Sequence, residues 1–217
     1  MTLETLMFIN PLIKLITIIT ATSLFVGCKA DSLEIKLSDK DVQSAIAGEV
    51  VGIEFEAEFS MLGELDEENK AALDQLLVLA EEFLSLDDYE IEKGDFGAKV
   101  LLEGTIPLTT NTEEESPWYV SVSPYDDEFY TVQLKTGIKF NRLESAMSDI
   151  NFLLSADPYH PIKYKFKAPG STVIAPAVEI GGITHLYYSE KIEKRLTMNF
   201  SGGPFDSTGG GFLVKFD

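Results

Sequence analysis

From Val50 to Phe59 apolar and polar positions alternate along the chain. Val51, Ile53, Phe55, Ala57 and Phe59 fall on one side, and Gly52, Glu54, Glu56 and Glu58 on the other. A period of two predicts a strand in a sheet covered on one face. Leu33 to Leu37 shows the same alternation and predicts another strand. Between them, Ser38 with Asp41 three residues later has the pattern of a capping box. It predicts a short helix over Asp39 to Ala47, ended by Gly48. From Asp66 to Leu86 the period changes. Leu73, Leu76, Leu77, Ala80, Phe83 and Leu84 recur at three- and four-residue steps, which predicts an amphipathic helix. Asp66, Glu67 and Glu68 occupy its first turn, where the helix dipole favours negative charge.

Tyr89 to Glu92 and Ala98 to Ile106 read as two further strands joined through Lys93-Gly94-Asp95. Trp118 to Ser123 and Phe129 to Lys135 read as a hairpin. Leu143, Ala146, Met147, Ile150 and Leu154 mark a second amphipathic helix, stopped by Asp157-Pro158-Tyr159-His160-Pro161. Ile162, Tyr164 and Phe166 alternate with Lys163, Lys165 and Lys167, and Val173 to Ile180, Ile183 to Tyr188, Arg195 to Phe200 and Phe212 to Phe216 complete the strand candidates. The expected fold class is α+β: an antiparallel or mixed sheet with two main amphipathic helices against one face. Residues 111–117 are polar, acidic and end in Pro117, so they read as a linker or as a long loop. On the linker reading, 28–110 is an N-terminal α+β subdomain with a tether. Residues 118–217 are then a β-rich α+β subdomain.

Two ladders of opposite charge lie on these strands: Glu54, Glu56 and Glu58, and Lys163, Lys165 and Lys167. Each is either a solvated outer face or one half of a cross-strand pairing that joins the two halves of the chain.

Composition narrows the function. The net charge is −19. Such a charge opposes nucleic-acid binding, where Lys and Arg must neutralise phosphates. It also opposes lying flat on anionic lipid. Cys28 is the only cysteine. No internal disulfide can form, and cysteine-based zinc sites are excluded. The fold must rest on its apolar core.

Leu15 to Val26 is an apolar run closed by Phe25-Val26-Gly27-Cys28 and followed by polar Lys29-Ala30-Asp31-Ser32. It has the length of a signal-peptide core and ends at a small residue. It resembles the lipobox of bacterial lipoproteins, over residues 1–28 alone. Phe25 stands where that family usually has Leu. The resemblance implies a signal peptide over 1–27, removed on processing, and a diacylglyceryl group on the Cys28 thiol. An acylated amine would make the anchor stable. Residues 1–27 carry Glu4 and Lys14, so the mature chain keeps the full net charge. Lys29 after the cysteine, rather than Asp, implies the outer membrane and a body facing the periplasm. Ser38-Asp39-Lys40-Asp41-Val42 through Gly48-Glu49 resembles uncharacterised phage or prophage lipoproteins. That resemblance implies a role in excluding competing phage at the envelope.

No catalytic signature stands out. Counting from Asp88, a calcium loop would need Gly and Glu where Lys93 and Lys99 stand. Asp206-Ser207-Thr208-Gly209 echoes the aspartic-protease turn, but no second copy exists to share a proton. The histidines, His160 and His185, belong to no metal or nucleophile motif. The chain is therefore expected not to be an enzyme and to hold no cofactor or metal. Trp118, Tyr119, Tyr125 and Tyr130 cluster on one hairpin, and aromatic residues with a polar handle suit an interface. The expected function is a lipid-anchored envelope protein with a binding or structural role towards a protein partner. The second expectation is a carrier of a small apolar ligand or lipid, which needs a pocket of about 300–1,000 Å³.

Overall fold

The computed structural model describes residues 30–62, 66–94, 97–112, 114–150, 156, 161–201 and 210–217. Cys28, His160 and Asp206 lie outside them. The chain runs β1 (Ala30–Ser38), α1 (Asp39–Ile46), β2 (Val51–Leu62), α2 (Glu67–Phe83), β3 (Ser85–Gly94), β4 (Gly97–Thr109), β5 (Trp118–Pro124) and β6 (Tyr130–Thr136). It continues through α3 (Phe140–Ile150), β7 (Ile162–Lys167), β8 (Thr172–Ile180), β9 (Ile183–Lys191), β10 (Leu196–Phe200) and β11 (Gly211–Lys215).

Nine of these strands close on themselves. Their order is β10-β7-β1-β2-β4-β5-β6-β11-β8, and β8 meets β10 again to complete a barrel. β3 and β9 lie outside the ring, paired to β4 and β8. The α+β expectation with two main helices is thereby corrected. The one-sided alternation read in Leu33–Leu37 and Val51–Phe59 is there, but the covering layer is mainly the opposite wall of the same sheet, not helices. Leu33, Ile35, Phe55, Ile106, Val120, Val132, Tyr164, Phe166, Val173, Met198 and Phe212 all point into one interior and are buried. A strand's period of two is the same under either cover, so alternation alone does not separate the two folds.

The ring has two narrow seams. β4 and β5 share only the rungs Leu108↔Val120 and Thr109↔Ser121. β8 and β10 share Asn199↔Glu179. The barrel is thus two curved walls, β10-β7-β1-β2-β4 and β5-β6-β11-β8. The first wall draws strands from both sides of residues 111–117. β1 pairs in parallel with β7, from Leu33↔Ile162 to Ser38↔Lys167.

The helices have separate tasks. α1 begins as expected: Ser38 accepts from the Asp41 backbone N–H, and Asp41 accepts from the Ser38 backbone N–H at 2.7 Å. Val42 and Ala45 are fully buried in the barrel core, and the helix contacts β1, β2, β4 and β5, so it plugs that end of the ring. α2 and α3 pack against each other outside it, joined by Phe83, Leu143 and Met147.

Candidate functional site

The four aromatic residues expected to form a partner face do not share one. Trp118 is 3% exposed, and its indole N–H donates to the Ala156 carbonyl at 3.0 Å. Its ring meets Phe55 edge-on at 6.3 Å. Tyr119 is equally buried, and burial with the nearby Glu114 charge pushes its phenol up. Tyr130 is half-buried against Phe216. Only Tyr125 is open to solvent, in the turn where Asp126 accepts the Glu128 and Phe129 N–H groups. Those bonds hold the Asp126 carboxyl below its ordinary value.

Of the eight large apolar side chains exposed among the described residues, three lie on β9. Ile183, Leu186 and Tyr187 are 63%, 77% and 66% exposed. Gly181 and Gly182 both have positive φ and turn the chain from β8 into β9 in two residues. Both central residues of such a tight hairpin need that conformation. β9 pairs with β8 from Thr172↔Lys191 to Ile180↔Ile183, and its other edge has no strand among the described residues. Its backbone groups on that side form a template for a further strand. The signal was present in the sequence. Ile183-Thr184-His185-Leu186-Tyr187-Tyr188 puts apolar residues on both faces, which a half-buried wall strand would not do. His185 lies within this strand and stacks edge-on against Tyr188 at 5.5 Å.

Two apolar spaces bear on ligand carriage. A partly open apolar space of about 60 Å³ lies between α2, α3 and the barrel wall, lined by Leu73, Leu77, Val100, Leu102, Trp118 and Met147. That is room for about two water molecules at liquid density, well short of a lipid chain. A shallow groove between Val78, Leu79, Ala146 and Ile150 is open to solvent.

The charge ladders meet through an intermediary. β1 stands between β2 and β7: Glu34 lies opposite Glu56 and Lys163, and Lys36 opposite Glu54 and Lys165, so each outward residue of β1 faces one like and one opposite charge. Glu34 takes Lys163 at 2.7 Å on one oxygen and Lys165 on the other. Lys36 takes Glu56, with Glu54 at 3.7 Å, and Lys99 takes Glu58 at 2.9 Å. The two ladders therefore share one sheet but are second neighbours, not direct partners. Glu34 is only 8% exposed. Burial alone would raise its carboxyl, but hydrogen bonds from Lys163 and Lys165, with their charges, outweigh that and hold it below the ordinary value. The hydrogen bond to Glu56 is the main reason the Lys36 ammonium is held above its ordinary range.

Among the described residues no three metal-ligating side chains come together, and no helix is long and apolar enough to cross a membrane. No protein-family model matches the chain, and no curated protein matches it.

Proposed function

We propose that the chain is a lipid-anchored protein of the cell envelope, with a non-catalytic role: its barrel captures a protein partner along β9. The observation that carries the partner reading is the β9 edge, unpaired among the described residues, with Ile183, Leu186 and Tyr187 beside it. The occupant this edge suits is an extended segment that adds a strand. Backbone hydrogen bonds would supply affinity, and alternate apolar side chains would supply specificity. The lipobox-like stretch ending at Cys28 supports the anchor. β1 begins at Ala30, so Lys29 alone would separate an acylated Cys28 from the first sheet strand. Two residues reach at most about 7 Å. An anchored barrel would stand directly on the bilayer, held at high effective concentration for neighbours in the same membrane.

Two measurements test the two halves of this reading separately. A mass spectrum of the membrane-purified protein should show a chain starting at Cys28 with acyl mass added. The Cys28→Ala variant should leave the membrane. A photo-crosslinker at Leu186 should then trap one dominant protein neighbour in native membranes, and Ile183→Lys with Tyr187→Lys should abolish it. No adduct at Leu186, or an adduct that survives both lysines, removes the β9 reading whatever the mass spectrum gives.

A further inference from the structure

At the α1 end of the barrel, the outer face of the β7-β1-β2 wall opens into a groove of about 400 Å³. Lys36, Lys165, Lys167 and Arg195 converge on it from β1, β7 and the residue before β10. Asp41 and Glu54 are its acidic members. Four of the chain's 17 Lys and Arg thus line one groove, with only two of its 36 Asp and Glu. On a protein of net charge −19 the lining itself holds more cations than anions, with Glu56 and Glu34 just outside it against Lys36 and Lys165.

The four cations are not equivalent. Lys36 is held by Glu54 and Glu56, and Lys165 by Glu34. Lys167 and Arg195 have no ion-pair partner among the described residues. Both side chains are exposed. Two free positive charges, one of them a guanidinium fork, match a doubly charged oxyanion better than a single carboxylate.

Gly52 supplies the second observation. It sits on the outward row of β2 beside Glu54, and it also lines the groove. A Cβ there would meet only Thr105, at an ordinary 3.8 Å, and its φ is not left-handed. Neither packing nor backbone conformation calls for glycine. Glycine inside a strand weakens it and often marks a bulge, a tight bend, or close approach of a ligand or another backbone, and the β2–β4 register runs through Gly52 without a bulge. The missing side chain keeps the groove floor open beside the cations.

We propose that this groove binds a phosphate group, with Lys167 and Arg195 as its direct charge partners and Gly52 as the open floor. Two sources share that chemistry: a soluble phosphate compound and the headgroup of an anionic phospholipid. The test uses the full chain in low-salt buffer. Inorganic phosphate is titrated by calorimetry, and vesicles of phosphatidylglycerol with phosphatidylcholine are assayed by flotation against phosphatidylcholine alone. Saturable phosphate binding without flotation assigns a soluble ligand. Flotation on the anionic vesicles alone assigns a headgroup. In either case Lys167→Ala with Arg195→Ala should weaken binding at least about tenfold, the loss of roughly one charge-assisted hydrogen bond. Gly52→Val should weaken it similarly, with the thermal melt unchanged or raised. No saturable binding in either arm, or binding indifferent to the double alanine variant, overturns the proposal.

Discussion

The Tyr164 hydroxyl donates to the Gly210 carbonyl at 2.9 Å, and it accepts the Leu134 backbone N–H at the same distance. Tyr164 belongs to β7 in one wall, and Leu134 to β6 in the other. The β6–β11 ladder starts at Gln133↔Gly211, so Leu134 would next face Gly210. The phenol stands in that missing rung and ties the two walls through the fully buried core. Tyr164→Phe keeps the ring contacts with Phe200 and Phe212. It leaves a buried N–H and a buried carbonyl without this partner. The expected cost is about 1–3 kcal/mol, read from denaturant melts.

Glu34 makes stability depend on acid. Its folded carboxyl sits below the ordinary glutamate value, so the unfolded chain binds more protons in that range. The contribution is complete above about pH 4.3 and drains away as pH falls through the folded value. Glu34→Gln should cost about 1–3 kcal/mol at neutral pH, since hydrogen bonds to a charged group are lost. The gap between variant and parent should narrow near pH 3. A gap constant with pH would mean the carboxylate's charge is not what holds Lys163 and Lys165.

Gly104 has no space for a methyl group. A Cβ would lie 2.3 Å from the Ser85 carbonyl oxygen and 3.0 Å from the Phe55 ring. The first contact is backbone, at the start of β3, just before the pairing skips between Leu86 and Asp88. Gly104→Ala should displace β3 at a cost of about 1–3 kcal/mol. Hydrogen exchange should rise first at β3 amides, ahead of those in β1 and β7.

Ala177 holds φ at 47°, between the rungs Pro176↔Tyr187 and Val178↔His185. The left-handed region costs an L-residue roughly 1–2 kcal/mol, and glycine escapes it at some expense in unfolded-chain entropy. Ala177→Gly should therefore raise stability by about 0.5–1 kcal/mol. A lowered melting temperature would show that the methyl group packs in the hairpin and outweighs the strain.

Local patterns carried much of the architecture. The alternation at Ile53, Phe55 and Ala57, the capping box at Ser38 and Asp41, and the stripe of Leu73, Leu77 and Ala80 all have the predicted burial. What was not legible was non-local. Nothing near Leu33 announces Ile162 as its parallel neighbour. The Glu and Lys ladders were visible, and so was the Leu33–Leu37 strand, but not that this strand lies between them with Glu34 and Lys36 as the ion-pair partners. Trp118 and Tyr119 misled for a different reason. β5 is covered on both faces from Trp118 to Val122, so a polar handle there serves the interior, as the indole bond to Ala156 illustrates. The converse holds on β9, where absent alternation was the clue to exposure.

The closing order of the ring also sets a clock. β1 leaves the ribosome early, yet one of its two neighbours is β7. β7 in turn needs β10, and β8 needs both β10 and β11 near the chain end. Neither wall is complete until β10 and β11 have been made, long after β1. Loop closure must be paid across most of the chain before the last rungs repay it, which makes such topologies slow to fold. A nascent or translocating chain would spend that interval as open sheet edges, and the eight-residue helix α1, too short to hold by itself, would set only when the ring gives Val42 and Ala45 a core.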